Sequence, residues 1–209
     1  MPEAYRAQRL ARRGVDVLIA AFGLVLLSPL LLVVAVAIRV DSPGPALFRQ
    51  IRVGRHGVPF RIHKFRSMAQ VAAEVSGSQL TVGQDARITR AGHWMRSHRI
   101  DELPQLIDVL QGSMSLVGPR PEVPRYVALY PPTLRAKVLS VRPGITDPAS
   151  LRFLDESVLL ARAADPEREY IDHVLPIKLR LAAEYVDQAS LASDLRVMGQ
   201  TLRALLFRR

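Results

Sequence analysis

The sequence contains no cysteine. This excludes a disulfide framework, a thiolate zinc site and a cysteine nucleophile, and it agrees with a reducing compartment. Aromatic residues make up only 6%, so platforms for stacking single-stranded nucleic acid are scarce. Acids are missing from residues 42–73, which nevertheless carry six basic side chains: Arg49, Arg52, Arg55, Arg61, Lys64 and Arg66. Charge of either sign is missing from Val17 to Ile38, the 22 residues VLIAAFGLVLLSPLLLVVAVAI. What remains is a chain of 209 residues with 49% apolar content and a net charge of +10. It is long enough for one domain with a sizeable core, and its composition argues against global disorder. The positive balance fits nucleic acid, anionic lipid headgroups or phosphorylated substrates, or a merely solvated basic face.

The uncharged run has the length of a membrane helix, which needs about 20 residues for about 30 Å of hydrocarbon. A secretory signal is a poorer match, because no small-residue cleavage site follows. Two features argue against a simple span. Ser28-Pro29 sits near the middle, where proline removes a backbone hydrogen bond and kinks or breaks a helix. Both flanks are basic, with Arg6, Arg9, Arg12 and Arg13 before the run and Arg39, Arg49, Arg52 and Arg55 after it. Each flank therefore prefers the cytoplasmic side. A helix that enters, breaks at Ser28-Pro29 and leaves by the same face satisfies both flanks, with Ser28 bonding the carbonyl that Pro29 frees. A kinked ordinary span is the alternative.

DSPGP (41–45) is a turn-rich exit from this segment. ALFRQIRV, GRHG and VPFRIHKF then read as a β-hairpin, with Leu47, Ile51 and Val53 on one face. Residues 69–86 are small and polar and read as a mobile loop. Leu103 to Gln111 reads as a helix, with Asp101 as N-cap, Pro104 in the first turn and Gly112 at its end. GPRPE (118–122) and RPGIT (142–146) are rigid turns carrying one arginine each. Residues 155–184 read as largely helical with a break at Pro176. The tail SLASDLRVMGQTLRALLFRR forms an amphipathic basic helix, suited to a membrane interface or to packing on the core.

Asp101 and Glu102 are adjacent carboxylates in basic surroundings. A helix N-terminus and nearby arginines favour the ionised form of Asp101. Such a carboxylate can attack phosphorus, bind Mg²⁺, or act only as a cap and ion-pair partner. Mg²⁺ takes oxygen ligands and keeps waters and substrate phosphates, so one or two carboxylates suffice. Phosphoryl transfer needs neutralisation and alignment of charge. Lys64, Arg66, Arg96, Arg120 and Arg142 stand in turn-like or strand-end contexts that suit convergence on a pyrophosphate. The five histidines, His56, His63, His93, His98 and His173, have no metal-binding spacing and read as surface or structural residues.

The ordered set LLSPLLL, DSPGPALFRQIRVGRHGVPFRIHKFRSM, RITRAGHWMRSHRIDELPQLIDVLQGSMSLVGPRPE and VRPGIT strongly resembles the bacterial sugar transferases called small monotopic phosphoglycosyl transferases. The resemblance covers about residues 10–147 with consistent order and spacing. It is to the small form, which lacks a large N-terminal membrane domain. It implies transfer of a sugar-1-phosphate from a UDP-sugar to undecaprenyl phosphate with release of UMP, the first membrane step in making a capsule, O-antigen or exopolysaccharide. It also implies an α+β monotopic membrane protein. Residues 1–40 would be a re-entrant helix-break-helix with the break at Ser28-Pro29. Residues 41–209 would be a cytosolic catalytic domain of helices, a short β-hairpin and interfacial amphipathic helices.

The site residues follow by the same resemblance. Asp101 is the expected nucleophile, forming a covalent phosphosugar intermediate, and Glu102 the expected holder of Mg²⁺. Arg96 matches a phosphate-binding arginine, Arg120 one of the nucleotide-sugar site, and Lys64 a lysine near the active site. The implied location is one leaflet of the bacterial inner membrane with the catalytic domain cytoplasmic. Homo-oligomers and downstream glycosyltransferases are further partners to consider. The chain departs from the family after RPGIT, where many members carry a glycine and a tryptophan-containing stretch; here Asp147-Pro148-Ala149-Ser150 and LRFLDE follow. Two other classes compete, a membrane-tethered nucleic-acid-binding protein and a non-catalytic scaffold. The first lacks interleaved aromatics or a recognition helix, and the second has no use for the Asp-Glu pair among ordered arginine motifs.

Overall fold

A computed structural model describes residues 3–69 and 80–207, with side chains from residue 7 onward. The fold is α+β, mostly helical. Residues Glu3–Asp41 form one helix of 39 residues, α1. Alanine and leucine, both strong helix formers, supply 15 of its 39 residues, and it runs without interruption through Ser28-Pro29. The expected division into two helices is therefore absent. Pro29 cannot donate to the Val25 carbonyl, but the Ser28 hydroxyl does so at 2.8 Å. The freed acceptor is satisfied inside the helix, which is how the backbone continues.

The most apolar 18-residue window of α1 has a mean hydropathy of 2.9, and only 11% of that window is buried, so the helix is long and apolar enough to cross a membrane. The buried positions fall on one stripe, Asp16, Ala20, Val34 and Ile38, at helical spacing. Phe22, Val25, Leu26, Leu32, Val33 and Val36 are exposed. The same globular body covers the stripe on both sides of Pro29. Before it, Arg12 pairs with Asp194 at 2.6 Å, Asp16 accepts from the Ser115 hydroxyl at 2.7 Å and the Leu116 amide at 3.1 Å, and Ala20 joins a cluster with Leu106 and Val109. After it, Val34 and Ile38 cluster with Phe65 and Met95.

The hairpin expected from the sequence forms, with β1 (Leu47–Val53) antiparallel to β2 (Pro59–Phe65) and Val53 opposite Pro59. Its turn holds His56 at φ 59, a left-handed position that costs a non-glycine residue energy. Val53 is buried while Leu47 and Ile51 stay exposed. Helix α2 (Arg90–Ser97), capped by the Thr89 side chain, follows. The loop expected over 69–86 lies outside the described residues at 70–79; past it, Leu80 enters the main core.

A single 3₁₀ turn, Ile100–Glu102, precedes α3 (Gln105–Gln111), which ends at Gly112 with φ 84. Asp101 is not the N-cap; Pro104 occupies that place. A short parallel pair joins β3 (Ser115–Val117) to β4 (Gly144–Thr146). Gly118 and Gly144 permit this pairing: a Cβ on Gly144 would lie 2.1 Å from the Gly118 nitrogen.

Between these strands lie α4 (Pro124–Val127) and α5 (Pro132–Val138). The rest is helical: α6 (Pro148–Arg152), α7 (Glu156–Leu160), α8 (Pro166–Glu169), a π-turn over Tyr170–Val174, α9 (Leu175–Gln188) and α10 (Leu191–Leu206). Pro176 sits at the start of α9, where its missing N–H is harmless. The main core joins Val53, α4, α5, the π-turn and α9. Helix α10 carries a Ser190/Ser193 capping box and buries Asp194 and Val197, leaving Leu195, Leu202 and Leu206 exposed.

Candidate active site

The turn that carries the two carboxylates is tightly placed. Arg99, immediately before it, has φ 56, a left-handed backbone that turns the chain from α2 into Ile100–Glu102. Behind the turn, α3 is fastened at its C-terminal end: Arg13 donates to the Val109 carbonyl at 2.6 Å and Arg142 to the Gly112 carbonyl at 2.7 Å. Cations there also complement the negative end of the helix.

Asp101 and Glu102 are both 7% exposed, yet their surroundings differ. Glu102 is enclosed by cations. Lys64 of β2 donates to Oε1 at 2.9 Å, Arg120 contacts both carboxylate oxygens, and Arg99 stands 4.0 Å away. Burial by itself would push the Glu102 carboxyl up, but Arg120 and Lys64 outweigh it and hold the group well below the usual carboxylate range. Asp101 instead has a buried Oδ1 with no hydrogen-bond partner. Burial first, and then the neighbouring Glu102 charge, pushes its carboxyl up. The expected effect of a helix-end cap and nearby arginines on Asp101 is thus outweighed by burial and by the Glu102 charge, and Oδ1 finds no N–H donor.

The dyad opens into a cleft of about 740 Å³, a size suited to a sizeable ligand. Lys64, Arg99 and Arg120, with His93 and Arg96 from α2 and His98, line this cleft together with the dyad, and the charges of Lys64, Arg96 and Arg99 act on Asp101. Arg96 donates to Thr81 Oγ1 at 2.9 Å. Gly118 brings the Pro119-Arg120 turn against β4, and buried Asp147 holds it there by accepting from the Arg120 amide at 3.2 Å. Asp147 also caps α6 through the Ser150 amide at 2.6 Å.

Lys64, Arg96 and Arg120 therefore meet at the carboxylates, whereas Arg66 and Arg142 do not. Arg66 is buried at the far end of β2 and donates to Pro43 and Ser42 carbonyls past the end of α1. Arg142 serves the end of α3. Both guanidiniums answer unsatisfied backbone carbonyls, a use their sequence context does not distinguish from phosphate binding. His63, read as structural, is clamped by Asp108, whose carboxylate lies 2.7 Å from Nδ1 and accepts the His63 amide at 2.8 Å. The sequence analysis missed Arg99, Glu122 and Asp147. The Asp147-Pro148 dipeptide is an N-cap signature that was available.

No group of three or more metal-ligating side chains occurs among the described residues. A cation at the dyad would draw on one or two carboxylates, with water and substrate phosphate completing its shell, as Mg²⁺ does. The unpartnered Oδ1 of Asp101 and the all-oxygen donor set fit that ion.

Helix α1 and this cleft together define a protein with a membrane-length apolar helix beside a site built for anionic ligands. The family described as Bacterial sugar transferase matches residues 7–208, and the chain belongs to it. It is 40% identical over 197 residues to the UDP-N-acetylgalactosamine-undecaprenyl-phosphate N-acetylgalactosaminephosphotransferase of Aeromonas hydrophila, covering 93% of this chain and 43% of that protein. It is 39% identical to the UDP-glucose:undecaprenyl-phosphate glucose-1-phosphate transferase of Caulobacter vibrioides, covering 94% of this chain and 70% of that protein. It is 36% identical to the exopolysaccharide production protein PSS of Rhizobium leguminosarum bv. phaseoli, covering 94% and 96% of the two. The chain thus spans less than half of the Aeromonas relative and nearly all of the Rhizobium one.

Proposed function

We propose that this chain transfers a sugar-1-phosphate from a UDP-sugar to undecaprenyl phosphate and releases UMP, initiating a bacterial exopolysaccharide or related glycan. The observation that carries this most directly is the contrast within the dyad. Glu102 is held ionised by Lys64 and Arg120, while Asp101, which lines the cleft, keeps a buried oxygen without a partner. The relatives' names supply the substrates, and because they name different sugars, the sugar is left open.

In the first step an Asp101 carboxylate oxygen attacks the phosphorus that bears the sugar. The bond from that phosphorus to the bridging oxygen breaks, and UMP leaves with the electron pair. An acyl phosphate stays reactive enough to pass its group on. In the second step a phosphate oxygen of undecaprenyl phosphate attacks the same phosphorus, which releases the Asp101 carboxylate and yields the diphosphate-linked lipid sugar. Lys64, Arg96, Arg99 and Arg120 neutralise the phosphates and align them. Glu102 and Asp101 are the residues that would hold Mg²⁺, which when bound neutralises phosphate charge.

The membrane half of the proposal is a monotopic, re-entrant placement in one leaflet of the inner membrane, with α1 turning back through a proline bend at Pro29 rather than a break and the catalytic body cytoplasmic. It is supported by α1 packing on one globular body both before and after Pro29, while Val25, Leu26 and Leu30 between the packed halves are exposed. A helix crossing the bilayer would carry one of those halves away from the body. The exposed leucines of α10 and its Arg196 and Arg203 fit an interfacial helix.

The activity is tested with radiolabelled UDP-sugar and undecaprenyl phosphate, reading UMP release and a lipid-linked product. Asp101→Asn is expected to lose both while remaining in the membrane fraction; substantial turnover by that variant removes the nucleophile. A protease-accessible tag at residue 1 tests topology, with termini on opposite sides of the membrane contradicting the re-entrant placement.

A further inference from the structure

The cleft is also lined by a second group of residues, here called its second lobe, that phosphoryl transfer does not use. Glu122, at the end of the GPRPE turn, accepts from Arg52 at 3.4 Å and from the Tyr170 hydroxyl at 3.2 Å. Lys178 of α9 pairs with Glu156 of α7 at 2.5 Å and stands 4.9 Å above the centre of the Tyr170 ring. Phe153 and Ser150 lie on the same wall. The Ser150 hydroxyl is buried and has no hydrogen-bond partner.

The chemistry of this lobe differs from that of the dyad end. There, four cations surround two carboxylates. Here each cation is matched by an anion, Arg52 by Glu122 and Lys178 by Glu156, so the lobe offers little to attract a phosphate. It offers instead carboxylate acceptors, an ammonium donor and the partnerless Ser150 hydroxyl beside the half-buried Phe153 ring, while Tyr170, buried between Tyr126 and Lys178, backs them. This combination recognises a neutral ring bearing hydroxyl groups, whose edges hydrogen-bond while a C–H face contacts Phe153. The two ends are joined by Arg120, which pairs with Glu102 and also lines a small cavity with Glu122, Ser150, Tyr170 and Lys178.

We infer that the lobe formed by Glu122, Ser150, Phe153, Glu156, Tyr170 and Lys178 seats a hydroxyl-bearing ring of the donor and that the Glu156–Lys178 pair discriminates among such rings. This rests on the donor's being a nucleotide sugar, as proposed above. Of the donor's two hydroxyl-bearing rings, the sugar is the one attached to the phosphorus attacked at Asp101. The lobe adjoins that carboxylate through Arg120, so the sugar is its occupant. The ribose of the nucleoside shares the chemistry and is separated by the test. The segment from Asp147 to Glu156, where the chain departs from the sequence pattern it otherwise resembles, supplies Ser150, Phe153 and Glu156 of this wall.

The test uses Glu156→Gln and Lys178→Met in the full chain, with thermal unfolding as the check of folding. Initial rates of UMP release are measured with UDP-glucose, UDP-galactose and their two N-acetylated counterparts, together with inhibition by UMP. With the sugar in the lobe, the ratio of kcat/KM between the best donor and the next shifts by about tenfold while UMP inhibition stays within about twofold. With the ribose there instead, UMP inhibition weakens by about tenfold and all donors fall in parallel, which keeps the ring subsite and overturns its assignment to the sugar. Folded variants that change neither quantity overturn the subsite altogether. Should the ion-pair variants fail to fold, Ser150→Ala removes only the partnerless hydroxyl and is read by the same two ratios. A wild-type chain that releases UMP from no UDP-sugar overturns the transfer activity itself, an outcome distinct from a wild type that is active and variants that match it.

Discussion

Asp101→Asn and Glu102→Gln exchange neighbouring carboxylates for amides of nearly the same shape, yet they should move stability in opposite directions. Asp101 buries an oxygen without a partner, and an unsatisfied buried polar atom costs about 1–3 kcal/mol, more when charged. Lys64, Arg96 and Arg99 offset part of that cost. An amide keeps that oxygen but removes its charge, and should therefore stabilise the fold by about 1 kcal/mol near neutral pH. For a chain of this size that raises Tm by about 2–4 °C. Glu102 is the anion on which Lys64 and Arg120 converge. Removing one member of a buried ion pair costs about 3–5 kcal/mol because the partners stay buried and uncompensated. Glu102→Gln should lower Tm by about 6–12 °C or more.

The pH dependence separates the two further. The Asp101 carboxyl is raised on folding, so its destabilising ionised form exists above its folded pKa and is relieved as pH falls through that value. The advantage of Asp101→Asn should shrink in acid. The Glu102 carboxyl is depressed, so its contribution is present above its unfolded pKa and is lost as pH falls through the folded one. The assay is thermal unfolding by circular dichroism of detergent-solubilised protein, without donor, from neutral pH downward. An Asp101→Asn variant as destabilised as Glu102→Gln at neutral pH would refute the reasoning, since it would mean that the Asp101 carboxylate has partners of its own.

The arginines should divide by role. Arg120→Met should lower kcat/KM by about a hundredfold or more, the order of a lost transition-state contact. Arg142→Met should leave KM for the donor unchanged and lower Tm, because its guanidinium serves the Gly112 carbonyl; a KM effect without a Tm effect would return it to the substrate site. Gly144→Ala should destabilise by about 1–3 kcal/mol from overpacking against Gly118, measured by denaturant unfolding, and a neutral result would contradict the strand contact. Chelation with EDTA should stop UMP release and added Mg²⁺ restore it; indifference to chelator would remove the metal from the proposal.

Local chemistry made much of the fold legible. The hairpin was visible because GRHG separates two alternating runs, and the end of α3 because Gly112 tolerates a left-handed backbone. Long-range contacts were not. Nothing near Arg66 or Arg142 signals that each is directed at helix-end carbonyls, since the carbonyls come from segments far along the chain. The same holds for Asp16, which looks like the last charge before an apolar run but accepts from Ser115 and Leu116 of β3. Asp101 was misjudged for a related reason. Arg96 and Arg99 precede it in sequence, but its ionisation is set first by burial, which the sequence does not show, and then by the adjacent Glu102 charge. Proline rules also needed context, because Ser28 supplies the bond that lets α1 continue through Pro29.

The most direct measurement is intact-protein and peptide mass spectrometry of the enzyme incubated with UDP-sugar alone, before any lipid acceptor is added. A phosphosugar adduct should appear on Asp101, disappear when undecaprenyl phosphate follows, and never form on Asp101→Asn. An active enzyme that shows no adduct under these conditions, or carries it on another side chain, would contradict transfer through this carboxylate.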